Sequence, residues 1–171
     1  MKRTYPPLFS AVLGLLLAAC TIYVAPDGTT VSPGIDGQEY EIITSFEPDR
    51  GDGASYDIGD DISFRVRTTR DGYITLTSLN PDGSIDVFGR NIFVRGDRTN
   101  LIPGSDSRVA YEVGGPSGLN RVRAAFTPRE TDTERVIYRG RSGEDIWTQT
   151  IESDIRSYDV RDVAQTSFYV R

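Results

Sequence analysis

Most of the chain after residue 40 alternates between apolar and polar residues, which is the period of a half-buried β-strand. The clearest case is residues 61–69, where the side chains alternate without a break from Ile62 to Arg67. The same signal predicts further strands over residues 41–46, 73–77, 84–88, 108–113, 119–127, 135–139 and 164–170. The pattern therefore predicts a mainly β domain.

Short turns separate these predicted strands. Asn80-Pro81-Asp82-Gly83 is a strong turn signal, because proline presets φ and glycine accepts the left-handed conformation. We expect strands 61–69, 73–77 and 84–88 to form an antiparallel meander. We also expect strand 108–113 to pair with strand 119–127.

One amphipathic helix is predicted near the C-terminus, with Ser142 or Asp145 as its cap. Four large apolar side chains share one helical face: Trp147, Ile151, Ile155 and Tyr158. This face could dock a partner, but a sheet with an apolar face must be buried, so we expect the helix to cover it. The predicted fold is an antiparallel β-sandwich-like domain with one C-terminal helix packed on the sheet.

The first twenty residues have the pattern of an export signal. Lys2 and Arg3 precede an apolar run over residues 8–19. At about 1.5 Å per residue such a helix would span about 18 Å, short of a bilayer core of about 30 Å. A basic start with a short apolar core is the signal-peptide pattern. The run ends Leu17-Ala18-Ala19-Cys20, which resembles the lipobox of bacterial lipoproteins.

The lipobox resemblance implies cleavage before Cys20, a thioether-linked diacylglycerol on its sulfur and an N-acyl chain. Two or more acyl chains anchor a protein stably in a membrane. Thr21, rather than Asp, follows the cysteine and resembles the outer-membrane sorting pattern of two-membrane envelopes. We therefore expect an extracytoplasmic, lipid-anchored protein. Its parts would be a signal peptide (1–19), the acylated cysteine with a flexible tether (20–38) and a β domain (39–171). Alternatively, residues 21–24 could add an edge strand.

The amino-acid composition excludes several classes of catalytic and metal site. Cleavage would leave 152 of the 171 residues and remove Lys2 and Arg3, taking the net charge from −6 to −8. An acidic balance argues against nucleic acid as a partner. The remaining residues contain no His, Lys or Met. This excludes His-based relays, Lys Schiff bases and the P-loop, and disfavours zinc and redox-metal sites. No cofactor is expected beyond the covalent lipid on Cys20.

The middle of the chain resembles the DUF4384 family over about residues 55–130. The resemblance rests on the order and spacing of its turns: Tyr56-Asp57-Ile58-Gly59-Asp60, Asp71-Gly72-Tyr73, Asn80-Pro81-Asp82-Gly83, Leu101-Ile102-Pro103-Gly104 and Gly115-Pro116-Ser117-Gly118. Where the family usually has Phe-Pro-Asn, the chain has Phe88-Gly89-Arg90-Asn91. The resemblance implies an exported β-sandwich-like domain, and it implies no catalytic residues.

Two clusters are candidate binding sites. An acidic stretch offers hard oxygen ligands for calcium, although a solvated, turn-forming loop explains it as well: Asp49, Asp52, Asp57, Asp60 and Asp61. Four arginines lie on the polar faces of two predicted strands: Arg65, Arg67, Arg121 and Arg123. If these strands were neighbours, the guanidinium groups could bind phosphate or carboxylate. Cross-strand pairing with acids such as Asp86 is the structural alternative.

These observations favour a non-catalytic binding or structural module of the cell envelope. We expect the membrane, through the lipid anchor, and an envelope or surface-layer protein as its partners. The alternative is a carboxylate-based or metal-assisted enzyme acting on cell-wall glycan. That alternative predicts a pocket with two or more buried acids of raised pKa.

Overall fold

The structure, a computed structural model, describes residues 41–132 and 138–171. The predicted signal peptide, Cys20 and the tether lie outside these residues, as does most of the predicted strand 135–139. Within them the elements follow in this order: β1 (Ile43–Pro48), β2 (Ser55–Tyr56), β3 (Asp61–Ile62), β4 (Phe64–Thr68), β5 (Gly72–Leu79), β6 (Ile85–Val94), β7 (Thr99–Ile102), β8 (Tyr111–Glu112), β9 (Gly118–Thr127), α1 (Glu144–Ile155) and β10 (Asp162–Val170). None of the helical residues described is part of a helix long and apolar enough to cross a membrane.

The strands form two main sheets that share one core. The three-stranded sheet has the order β1-β4-β7 and the five-stranded sheet the order β2-β10-β9-β5-β6, while β3 and β8 pair separately. The pairs are antiparallel except β2 with β10. Inward side chains of both sheets, such as Phe64, Leu76 and Phe126, belong to one buried cluster, which we call the inner core. The mainly β, sandwich-like prediction is confirmed.

Helix α1 covers the other face of the five-stranded sheet. Trp147, Ile151 and Ile155 are buried in a second cluster with Leu79 and Ile85 of the β5–β6 hairpin, which we call the outer core. The helical apolar spacing therefore identified the buried face correctly. The stripe covers the sheet rather than forming a free docking surface.

The predicted caps of this helix are wrong. Its N-cap residue is Gly143, at φ +90°, and no side chain caps the helix by a hydrogen bond. Glu144 and Asp145 instead lie inside the first turn, where their charge suits the positive end of the helix dipole. The helix therefore begins at a glycine and without a side-chain cap.

The Asn80–Gly83 turn forms as predicted and joins β5 to β6. Gly83 donates to the Asn80 carbonyl over 2.9 Å and has φ +82°, the left-handed conformation that glycine tolerates. Asp82 Oδ1 accepts a hydrogen bond from the Ser84 N–H at 2.9 Å. The hydrogen bonds from Ser84 lower the pKa of the Asp82 carboxyl group. Local turn chemistry therefore predicted the position of this hairpin correctly.

The predicted three-stranded meander is wrong at its first connection. Strand β4 pairs with β1 and β7, whereas β5 pairs with β6 and β9 in the other sheet. The chain crosses from one sheet to the other between Thr68 and Gly72. Position 72 has no room for a side chain, because an added Cβ would lie 2.3 Å from the Phe126 ring. Alternation reports which face of a strand is buried and not which strand lies beside it, so the crossing left no local signal.

The predicted pairing of 108–113 with 119–127 is also wrong. Only Tyr111–Glu112 of the first segment is extended, and it pairs with β3. Strand β9 lies between β5 and β10. Two short elements, β2 and β7, were not predicted because neither is long enough to show a period.

Strand β6 is longer than predicted and is irregular in its middle. Its register against β5 shifts twice around Leu76, and Asn91 has φ +54°. The strand keeps its faces across this irregularity: Phe88 before it and Val94 after it both pack on the inner core, whereas Ile85 packs in the outer core. Such an irregularity bends a strand locally. It lies where the chain departs from the Phe-Pro-Asn of the resembled family.

Candidate functional site

A cleft opens at the end of the inner core. Its volume is about 480 Å³, within the size range of small-molecule sites. It is bounded by the β3–β8 pair, the turn end of the β5–β6 hairpin and the first residues of β9. A smaller cleft of about 230 Å³ shares Ile62, Ala110 and Tyr111 with it. We take the larger cleft as the candidate functional site.

The inner end of the cleft holds an amide without a partner. Asn120 occupies an inward position of β9, two residues before Val122, and is 6% exposed. Among the described residues, its Nδ2 is the one buried side-chain nitrogen or oxygen that lacks a hydrogen bond. A buried donor left unpaired costs about 1–3 kcal/mol of stability. Such atoms are rare in folded proteins and each calls for an explanation, of which a bound group that supplies the acceptor is one.

Aromatic rings form the apolar walls of the cleft. Phe88 and Tyr111 meet edge to face with their centroids 5.1 Å apart, and Phe88 also contacts Phe64 at 5.7 Å. Phe168 lies beside Phe64 at 6.5 Å. Burial raises the pKa of the half-buried Tyr111, so its hydroxyl stays protonated and can donate as well as accept.

The mouth of the cleft is acidic. Asp86 and Glu112 line it and are both exposed. Asp86 Oδ2 accepts a hydrogen bond of 2.7 Å from Asn80 Nδ2. None of the described lining residues is basic, so the cleft offers acceptors at its mouth, a donor at its inner end and apolar rings between them.

The four predicted anion-binding arginines do not come together. Arg65 and Arg67 lie on β4 of the three-stranded sheet, whereas Arg121 and Arg123 lie on β9 of the five-stranded sheet. The proposed patch required neighbouring strands, and that condition is not met. Arg65 instead forms a cross-strand ion pair with Glu47 of β1 at 3.0 Å. This is the cross-strand pairing considered as the structural alternative, although the acid is Glu47 and not Asp86.

Arg121 and Arg123 join the sheet to the start of α1. Arg121 Nη1 lies 2.7 Å from Glu144 Oε2. The Arg123 guanidinium stacks 4.0 Å from the centre of the Trp147 ring, and its Nε donates to Gln165 at 2.8 Å. Burial lowers the pKa of Arg123. These contacts make the two arginines structural ties of the outer face.

The acidic stretch is used for internal hydrogen bonds. Asp49 accepts from the Tyr56 hydroxyl at 2.7 Å, and Asp52 accepts from Thr166 Oγ1 at 2.8 Å. Asp60 accepts from Arg50 at 2.7 Å. Its pKa is lowered by the Asp57 backbone N–H and by Arg50.

The remaining acids of this stretch lie apart from one another. Asp57 lies 3.5 Å from Arg171, while Asp61 belongs to β3. In residues 41–132 and 138–171 no group of three or more His, Cys, Asp or Glu could hold a metal ion. The arrangement favours the structural interpretation of these five aspartates over calcium binding.

One buried ion pair went unpredicted. Asp154 of α1 accepts two bonds from Arg90 of β6, at 2.9 and 3.3 Å, and one from the Tyr138 hydroxyl at 3.1 Å. The side chains are 3% and 15% exposed for Asp154 and Arg90. Burial raises the pKa of Asp154, against the opposing effect of Arg90. Nothing in the sequence joins positions 64 residues apart.

The geometry that a carboxylate-based hydrolase requires is not found in the described part of the chain. Asp154 is a buried acid of raised pKa, but Arg90 and Tyr138 occupy its oxygens and it does not line the cleft. The acids of the cleft, Asp86 and Glu112, are exposed rather than buried. No pair of buried carboxylates therefore faces a cavity there.

Most of this site lies in a segment that matches a known protein family. Residues 55–130 match the DUF4384 family model, described as a domain of unknown function. The match confirms the resemblance over these residues. Every residue that lines the larger cleft, apart from Phe168, lies within the matched segment. No curated protein matches the chain, and no solved structure does.

Proposed function

We propose that this chain is a lipid-anchored lipoprotein of the bacterial cell envelope, and that its DUF4384-matching domain binds an envelope component without catalysing a reaction. Three sequence features support the anchor: the basic start, the short apolar run and Cys20. The binding role rests on the cleft of about 480 Å³ with the unpartnered Asn120 amide at its inner end.

The rest of the described domain supports a binding role by contrast. Its buried polar groups and the acidic stretch are engaged in hydrogen bonds that hold elements together. The chain after Cys20 has no His or Lys to serve as a general base or covalent nucleophile. A tether between the anchor and the domain would let the cleft reach a partner held in the same membrane or cell wall.

The anchor is tested by mass spectrometry of the native protein extracted from membranes. We expect a mature N-terminus at Cys20 carrying a diacylglycerol and an N-acyl chain. Replacement of Cys20 by Ser should leave an unacylated protein in the soluble extracytoplasmic fraction. Detection of an intact Met1 or of an unmodified cysteine sulfur in the native protein would overturn the lipoprotein proposal.

The binding role is tested by photo-crosslinking in intact cells. A photoreactive residue at Glu112, on the exposed mouth of the cleft, should capture an envelope component. The same group at Gln149, exposed on α1, is the matched control and should capture little. Equal capture at both positions, or none at Glu112, would contradict a binding role for the cleft.

A further inference from the structure

The chemistry of the cleft restricts what it can bind. Its described lining has no basic group, and Asp86 and Glu112 stand at its mouth. Carboxylates accept hydrogen bonds and repel anions. A phosphate, a carboxylate or a nucleic acid is therefore a poor occupant. The ligand must instead present hydrogen-bond donors, such as hydroxyl or N–H groups, to the mouth.

The inner end imposes the opposite requirement. Asn120 Nδ2 is a buried donor without an acceptor, so a ligand group placed there must accept a hydrogen bond. The terminal torsion of asparagine is broad, which lets the amide turn toward such a group. A carbonyl oxygen is the natural match for an amide N–H. Satisfying this donor recovers a cost that the unoccupied fold carries.

The walls require an apolar surface between these two polar ends. Phe88 and Tyr111 project into the cleft from β6 and β8, and Phe168 and Val122 close its deeper part. Burying apolar ligand surface against these rings is favourable in itself. A flexible or fully polar chain would leave this surface in contact with water.

We propose that the cleft, taken as the binding site of the proposed function, holds a neutral saccharide unit that carries an acetamido group. The sugar hydroxyls donate to Asp86 and Glu112. The C–H face of the pyranose ring packs on the aromatic wall. The acetamido carbonyl accepts from Asn120. An extended peptide shares the carbonyl and N–H groups, but it lacks the rigid apolar ring face and the paired hydroxyls.

The test is calorimetric titration of the full acylated protein in detergent. The probes are N,N′-diacetylchitobiose, cellobiose as the same disaccharide frame without acetamido groups, and N-acetyl-trialanine amide as a neutral peptide. We expect the first to bind at least tenfold more tightly than the second, a difference of about 1.4 kcal/mol. Because the ligand is neutral, its affinity should change little between low and high salt.

Two variants assign the contacts. Asn120→Leu should weaken diacetylchitobiose at least tenfold and leave cellobiose unchanged. Gln149→Ala, an exposed amide on α1, is the control and should bind as the wild type does. Glu112→Gln changes an exposed side chain and should lower affinity several-fold for both sugars, which keeps the test decisive if Asn120→Leu folds poorly.

The outcomes separate this inference from the proposed function. Tighter binding of the capped trialanine than of diacetylchitobiose, equal binding of the two sugars, or no sugar binding would overturn the saccharide assignment. If crosslinking at Glu112 still captures an envelope component, the binding role stands and the ligand class is wrong. Diacetylchitobiose binding that is insensitive to Asn120→Leu and to Glu112→Gln would place the sugar outside this cleft.

Discussion

The two faces of the five-stranded sheet differ in whether every described buried polar side chain has a hydrogen-bond partner. On the outer face, beneath α1, Trp147 Nε1 donates to Thr77 at 2.8 Å, and Asp154 is bound by Arg90 and Tyr138. On the inner face, Asn120 is buried with its Nδ2 unpaired beside an open cleft. Both faces are packed by apolar side chains, so burial alone does not distinguish them.

The difference indicates which face is structural and which is available for binding. A fully satisfied polar network stabilises one arrangement of its elements. An unsatisfied buried polar group destabilises the fold. Proteins retain such unfavourable features mainly at functional sites, where the group serves binding rather than folding. The outer face thus fixes the helix, and the inner end is the better candidate for function.

The largest expected effect is on the outer face. Trp147→Ala removes a fully buried ring, its hydrogen bond to Thr77 and its cation–π contact with Arg123, and should lower the free energy of unfolding by about 4 kcal/mol. Urea denaturation followed by circular dichroism measures it. Ile146→Ala, exposed on the same helix, should cost less than about 1 kcal/mol. Similar costs for the two variants would show that α1 does not cover the sheet.

The next effect concerns the buried ion pair. Asp154→Ala leaves the Arg90 guanidinium without its carboxylate and should cost about 3 kcal/mol in the same assay. Glu47→Ala breaks the exposed pair with Arg65 and should cost less than about 1 kcal/mol. Equal costs would mean that the outer network is solvated and that the contrast between the two faces is weaker than described.

A third test concerns a polar group of the inner core that is satisfied. Tyr56→Phe removes the hydrogen bond to the Asp49 carboxylate and should cost about 2 kcal/mol at neutral pH. Burial, together with Asp49, raises the pKa of Tyr56 from 10.0 to about 12. The folded protein therefore keeps a proton that the unfolded chain loses, so stability falls as pH rises through this window.

Denaturation at neutral pH and at several alkaline pH values checks this sign. The Tyr56→Phe variant should lose less stability across the window than the wild type does. Tyr169→Phe, on an exposed ring, is the control and should follow the wild-type curve. A variant as alkali-sensitive as the wild type would mean that Tyr56 titrates alike in the folded and unfolded states.

The smallest effect has the opposite sign and is the sharpest test of the contrast. Asn120→Leu replaces an unpaired buried amide by an apolar side chain of similar shape and should raise the free energy of unfolding by about 1 kcal/mol. Thr77→Val makes a matched change on the outer face. It should lower that free energy, because it leaves the buried Trp147 N–H without its acceptor. A destabilised Asn120→Leu protein would indicate that the amide is structural.

Several of these elements were predictable from local sequence. The period of two marked β4, β5 and β9, the helical spacing of Trp147, Ile151 and Ile155 marked the buried face of α1, and Asn80–Gly83 marked a hairpin turn. Extending the alternation of β9 back from Val122 also places Asn120 inward, as a polar residue at a core position. That signal was available, although it does not show whether the amide finds a partner.

The cleft and the ion pair depend on distant parts of the chain. The β3–β8 pair holds Tyr111 near Phe88, and the pairing of β10 with β9 places Phe168 opposite Asn120. The predicted arginine patch does not form because β4 and β9 enter different sheets.

The sequence by itself determined the longer extended segments, the helix and which of their side chains face inward, because a backbone period of 2 or 3.6 converts spacing into a face. Only the tertiary structure decided which strands are neighbours, where Arg90 meets Asp154 and where Asn120 is left unpaired. Those outcomes are set by packing and hydrogen bonds between residues far apart in the chain, and alternation is the same whichever strand lies alongside.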